Sequence, residues 1–274
     1  MADGVRVGEP LDLGGHVLVL EDRFAGPELD PGTWLPYHLP QWSSRTRAAA
    51  RYGLGPDGLT LRVDEDQPPW CPRYDGATRV SSLQTGVRSG PVGSTLGQHR
   101  IWPDAVVQEE QPTALLLTPH RGAVAVRLRA SADPDAMVAL WMIGTEDVPE
   151  HSGEICVCEI FGRDVERDRV AVGMGVHPFG DPTLTDDFAR VVVPVDATAT
   201  HEYAAVWTAE EIAFAVDGVV VRVVRQSPDY PVQLMLGLYA FEPAGRAPGR
   251  YPKRATVERL GVYASPAAGS AGSA

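Results

Sequence analysis

Cysteine is scarce in this chain of 274 residues: Cys71, Cys156 and Cys158 make three, an odd number that cannot all pair within the molecule. That excludes a disulfide framework and leads to an expectation of buried free thiols, as in a reducing compartment. Cys156 and Cys158, two apart on one segment, are poor bridging partners, and no histidine stands at ligand spacing from them, so the linear sequence yields no metal site. Positive charge is also short, with 24 Lys and Arg against 36 Asp and Glu and a formal net charge of -12. Phosphate backbones would be repelled, which excludes a nucleic-acid partner. The densest basic stretch, Ser43 to Arg51, reads as a solvated loop or edge strand, with a cleft rim as the alternative. No apolar run approaches the roughly 20 residues of a membrane span, so no membrane partner is expected. Residues 1–10 lack the apolar core of a secretory signal; as written the chain is expected to be cytoplasmic, and secreted if it is a trimmed form. Sustained helical periodicity is missing, which disfavours an α/β barrel. The sequence also lacks a Gly-x-Ser-x-Gly elbow, a Walker loop, a dinucleotide fingerprint and His-Glu-x-x-His.

What the chain does have is short apolar runs punctuated by turns. Hydrophobic residues make up 44%, and 28 Gly and 24 Pro are spread along the length. These features predict a single all-β domain rather than several small ones. Val124 to Arg129 alternates apolar with polar or small residues, as a half-buried strand does. Ile212 to Val216 and Val219 to Val224 flank Asp217-Gly218, which predicts a hairpin with a type I′ turn. The domain is expected over residues 18–263, with an N-terminal extension at 1–17 and a small-residue, disordered tail at 264–274.

The chemistry is concentrated in Ser152-Gly153-Glu154-Ile155-Cys156-Val157-Cys158-Glu159-Ile160-Phe161-Gly162. Two carboxyls facing one sugar are what glycosidic cleavage requires: one protonates the leaving oxygen while the other attacks or stabilises the sugar carbon. Parity opposes this in a regular strand, since Glu154 and Cys156 would share a face and Glu159, an odd step away, would point to the other. A one-residue bulge would return all three to one face. The alternative is that Glu154 and Glu159 are ordinary solvated charges on a surface strand.

The segment has a context. Ala139-Leu140-Trp141-Met142-Ile143-Gly144 precedes it, Val176-His177 follows, and His201 to Thr208 runs on through Val216-Asp217-Gly218-Val219. In order and spacing these stretches resemble glycoside hydrolase family 16, over roughly residues 18–263. The resemblance implies a β-jelly-roll sandwich of two antiparallel sheets, like concanavalin A, with its site on the concave sheet. It also implies retaining cleavage of mainly β-1,3 or β-1,4 linkages in glucans and galactans, hence an oligo- or polysaccharide substrate. Carried over by position, Glu154 becomes the nucleophile and Glu159 the acid/base. Cys156 is the departure, because the family pattern Glu-x-Asp-x-x-Glu has an aspartate there. A neutral thiol removes a negative charge, so Glu159 should hold its proton less firmly near neutrality. The expectation is weak activity with an acid-shifted optimum.

Aromatic rings supply the stacking faces that sugars use. Trp34 and Trp207 read as core. Trp141 stands between packing and sugar contact, and Trp42 and Trp70, in loops, are candidates for the cleft wall. His177 matches a family histidine near the acid/base and reads either as a partner of Glu159 or the sugar, or as a structural residue. No cofactor is implied beyond a structural calcium that family members sometimes carry, for which Glu21 and Asp22 are candidates. Two other readings stay open: a carbohydrate-binding protein with impaired catalysis, and an intracellular tailoring enzyme that acts on a small metabolite through a short, closed cleft.

Overall fold

The computed structural model describes residues 5–242 and 249–265. Most of the tail expected at 264–274 lies outside them. The chain forms sixteen strands within the described residues. They begin with β1 (Val17–Asp22), β2 (Arg51–Gly55), β3 (Gly58–Val63), β4 (Arg79–Gln84), β5 (Gly86–Val87) and β6 (Ala114–Leu115). The middle of the chain gives β7 (Gly122–Arg129), β8 (Ala136–Gly144), β9 (Glu154–Phe161), β10 (Val170–His177) and β11 (Asp187–Val193). The last are β12 (His201–Trp207), β13 (Ile212–Val216), β14 (Val219–Val224), β15 (Val232–Ala240) and β16 (Lys253–Ala264). Helix is confined to single turns, including Arg45–Ala48 in the basic stretch, capped by the Ser44 side chain, and Pro72–Asp75. No helix among the described residues is long and apolar enough to cross a membrane.

The strands pair antiparallel into two large sheets. One runs β14-β13-β12-β7-β16-β3-β2, with β1 added on β16, and the other runs β11-β10-β9-β8-β15-β4. Alternation along each strand sends one set of side chains between the sheets, where Trp34, Leu128, Leu140, Ile155, Trp207, Phe214 and Leu236 pack in one core. Trp34 and Trp207 are therefore core residues. The β13–β14 hairpin turns through Asp217 (φ 48°) and Gly218 (φ 77°), both left-handed as a type I′ turn requires. Residues before β1 are not detached: Gly8 and Leu11 donate their N–H groups to the carbonyls of Val220 and Gly218, along β14.

A second apolar cluster covers the outer face of the six-stranded sheet. Leu39, Trp42, Trp70, Cys71, Ala105 and Val107, from three separate loops, pack onto Met137, Ala139, Trp141 and Ile143 of β8 and Met235 and Tyr239 of β15. Polar groups tie this roof down. The Leu39 N–H donates to Gln84 Oε1, and Gln98 Nε2 donates to Gln233 Oε1 at 2.8 Å. Strands β8 and β15 are buried on both faces as a result, and only the β9–β11 side of this sheet keeps partly exposed outer-face residues such as Glu159, His177 and Phe188.

The acidic pair considered for calcium is otherwise engaged. Glu21 is held by Arg23 and Arg259, while Asp22 accepts the Phe24 N–H and the Trp34 indole N–H on its two oxygens. Each oxygen of these two carboxylates thus already carries a hydrogen-bond or ion-pair partner.

Candidate active site

Strand β9 carries the bulge that parity demands. Against β8, Leu140 pairs with Cys158 and Trp141 with Cys156, so Val157 is the extra residue; the register against β10 shifts at the same place. Val157 and Cys158 both turn into the inter-sheet core. Glu154, Cys156 and Glu159 are thereby brought to one outer face, at the margin of the roof. Gly175 of β10 lies opposite Cys156 with φ at 149°, and a Cβ there would come within 2.1 Å of the Asp187 carbonyl oxygen, so the neighbouring strand accommodates the bulge only with glycine.

Glu154 is buried, at 5% exposure, and its two oxygens have different partners. Cys156 donates its thiol to Oε1 at 2.7 Å, and His99 Nε2 lies 3.5 Å from Oε2. Burial pushes the Glu154 carboxyl up to about 8; the thiol hydrogen bond works against this and the nearby Glu159 charge adds to it. Burial also raises Glu159, against the opposing pull of Arg190. The Cys156 thiol is held far above its ordinary value by burial and by both glutamates, so it is a neutral donor.

His177 is the cross-strand partner of Glu154 on β10. Its ring stacks on Phe188 at 4.9 Å, and its Nδ1 is 3.1 Å from Asp186 Oδ1. One ligand atom each from Glu154, Cys156 and His177 falls within 4.8 Å of the others. The structure thus places His177 beside Glu154.

The tryptophans divide. Trp141 sits 4.9 Å from the His99 ring and donates its indole N–H to Tyr239 Oη, next to the site but largely buried. Trp42 and Trp70 correct the expectation of a cleft wall. At 0% and 1% exposure neither offers a ring face to a sugar; both belong to the roof, with their indole N–H groups bonded to the Gln98 carbonyl and to Asp75.

Residues that local pattern does not reveal complete the site. His99, Glu146 and Phe179 come from three loops, and each non-glycine backbone sits in the left-handed region, at φ 55°, 50° and 45°. Such conformations gather where the surrounding structure fixes a functional geometry. The Glu146 carboxylate accepts the His99 N–H at 2.5 Å, and burial moves Glu146 up to about 7. Burial drives His99 down to about 3, so its imidazole is neutral, with Nδ1 enclosed and without a hydrogen-bond partner. These three residues, with Gln98 and Ser152, line a cavity of about 750 Å³ at the Glu154 end of β9. Only their separation in the sequence hid them; no motif marks them.

A family model, glycosyl hydrolases family 16, matches residues 119–256. No curated protein matches the sequence. Among solved structures, an endo-β-galactosidase from Clostridium perfringens that releases GlcNAcα1-4Gal superposes with a TM-score of 0.78 at 26% identity, over 93% of this chain. The present chain spans 64% of that protein. A laminarinase from Flavobacterium sp. UMI-01 gives a TM-score of 0.60 at 17% identity, over 90% of this chain and 99% of its own. A non-specific endo-β-1,3(4)-glucanase gives 0.66 at 18% identity, over 94% of each chain. By the family match, which extends over half of its length, and by an all-β sandwich of the same architecture, the chain belongs to glycosyl hydrolase family 16.

Proposed function

We propose that the protein is a retaining glycosidase or transglycosylase acting on β-linked glycans, with Glu154 as nucleophile and Glu159 as general acid/base. The observation that carries this reading is the bulge at Val157, which sets both carboxyls on one partly open face. In the first step the ionised Glu154 forms a bond to the anomeric carbon as the glycosidic C–O bond breaks, and Glu159 gives its proton to the departing oxygen. In the second, Glu159 takes a proton from water or a sugar hydroxyl. That oxygen attacks the same carbon, and Glu154 leaves as carboxylate.

This chemistry needs Glu154 ionised and Glu159 protonated together. With Glu154 held near 8, the productive combination is a minority at neutral pH, which keeps activity low. The acid shift expected from the missing aspartate charge bears on Glu159, whereas burial moves the Glu154 limb upward.

The roof over β8 and β15 favours a short glycan or a glycan end over a long polymer lying across the whole sheet. Of the structures named above, the one with the higher identity is an endo-β-galactosidase, so β-galactoside-containing glycans belong in the test beside β-1,3, β-1,4 and mixed-linkage glucans. The near-neutral proton on Glu154 supports a second reading, a carbohydrate-binding protein with weak catalysis. Wild type and Glu154→Gln, assayed for turnover and binding on this panel, separate the two. Turnover that vanishes in the variant supports the glycosidase, binding without turnover supports the second reading, and neither result would sink both.

A further inference from the structure

The substitution that weakens Glu-x-Asp-x-x-Glu also changes the donor set at its centre. A carboxylate oxygen, a cysteine sulfur and an imidazole nitrogen now converge within 4.8 Å, from Glu154, Cys156 and His177. We propose that these three side chains form a divalent zinc site, and that zinc bound there blocks the nucleophile and switches the hydrolase off.

Three protein ligands of N, S and O type with room for a water form the usual open zinc site. The linear sequence hides it, because His177 reaches the other two through the pairing of β10 with β9 rather than through spacing along one segment. A second observation points the same way. Asp186 Oδ1 lies 3.1 Å from His177 Nδ1. A proton on Nδ1 shared with that carboxylate leaves the Nε2 lone pair for the metal, the carboxylate–histidine arrangement that supports metal-bound imidazoles. Ligand atoms in a tetrahedral site with bonds of about 2.0–2.3 Å stand roughly 3.5 Å apart, so side-chain shifts on the order of 1 Å close the set. His177, with 30% of its side chain exposed, gives an ion a way in.

Metal binding must release a proton, because the ligand is the thiolate. Cys156 Sγ–H, which points at Glu154 Oε1, gives that proton to solvent. Zinc then takes the sulfur and Glu154 Oε1 together, replacing a shared proton with a shared cation. The same charge that occupies Glu154 removes its lone pair from the anomeric carbon. Zinc should therefore inhibit reversibly.

Cobalt(II) alone, added to the intact metal-free protein, tests the site without any glycan, since cobalt–thiolate charge-transfer absorption reports sulfur ligation. One equivalent should bind with that band, and zinc should displace it. Cys156→Ser should abolish the band, whereas Cys71→Ser should leave it. His177→Ala, at a partly exposed position, should weaken binding by tenfold or more, and Asp186→Asn by about 10–100-fold. No thiolate band, or a band that persists unchanged in Cys156→Ser, would overturn the proposal. So would cobalt affinity indifferent to His177→Ala. None of these outcomes depends on whether the protein cleaves glycans.

Discussion

Cys156 donates a thiol hydrogen bond to Glu154, Sγ to Oε1 at 2.7 Å, at the position where the resemblance to family 16 leads one to expect a second carboxyl. A thiol is the weaker donor, and it adds no charge of its own. Cys156→Asp would form a carboxyl pair in which one member donates to the other and the pair carries one negative charge through neutrality. The Glu154 limb of the rate profile should move below 8, with a gain of about tenfold at pH 7, as expected when Glu154 goes from a minority to mostly ionised. Initial rates from pH 5 to 9 in a chelating buffer check this. A profile identical to wild type would disprove the proposed role of the middle position.

The pH dependence of the wild-type enzyme follows from Glu154 having to be ionised. In metal-free buffer the pH profile of kcat/KM should carry one limb at about 8, set by Glu154, with the other limb set by Glu159, whose carboxyl burial raises. An optimum near pH 5 would contradict this assignment.

Stability should fall across the same range. Glu146 and Glu154 hold protons up to about 7 and 8 in the folded chain, whereas the unfolded chain releases them near 4.5. Their contribution is therefore fully present below about 4.5 and is lost as pH rises through 7 and 8. Thermal melting at pH 5 and pH 8.5 should show a higher midpoint at pH 5. Glu146→Gln and Glu154→Gln should each narrow the gap, because an amide does not titrate.

Gly173 pairs with Glu159 across β9 and β10. A methyl there would meet the Phe188 ring at 2.5 Å and Glu159 Cβ at 3.1 Å. Gly173→Ala should lower kcat by at least tenfold by tilting the acid/base, with a loss of about 1–3 kcal/mol in stability from overpacking. Denaturant unfolding beside steady-state kinetics distinguishes the two effects, and unimpaired kcat would free Glu159 from this constraint.

How far the chain could be read in advance differs from segment to segment. The β13–β14 hairpin was fully legible, because Asp217-Gly218 states its turn in two adjacent residues. The Glu154–Glu159 face was legible only as a condition, since parity says that a bulge is needed and not where it sits. Trp42 and Trp70 misled because other members of their cluster, Val107, Trp141 and Tyr239, are distant in sequence, and a polar loop gives no sign that it folds down as a roof. One signal was present: Ala136–Gly144 and Val232–Ala240 are nearly continuous apolar runs, the mark of strands covered on both faces. His99 and Glu146 left no such trace, as their importance arises only where three loops meet.

The segment laid along β14 has a consequence for the behaviour of the molecule among its own copies. Gly8, Glu9 and Leu11 occupy the outward-facing hydrogen-bonding groups of Gly218 and Val220, and Pro10 bridges to Val219. An uncovered edge of this kind is a template on which another chain can add a strand. Here the Gly218–Val220 end of that rim is already taken, and by a segment whose proline has no N–H to pass the pairing on, so strand addition is blocked at that end.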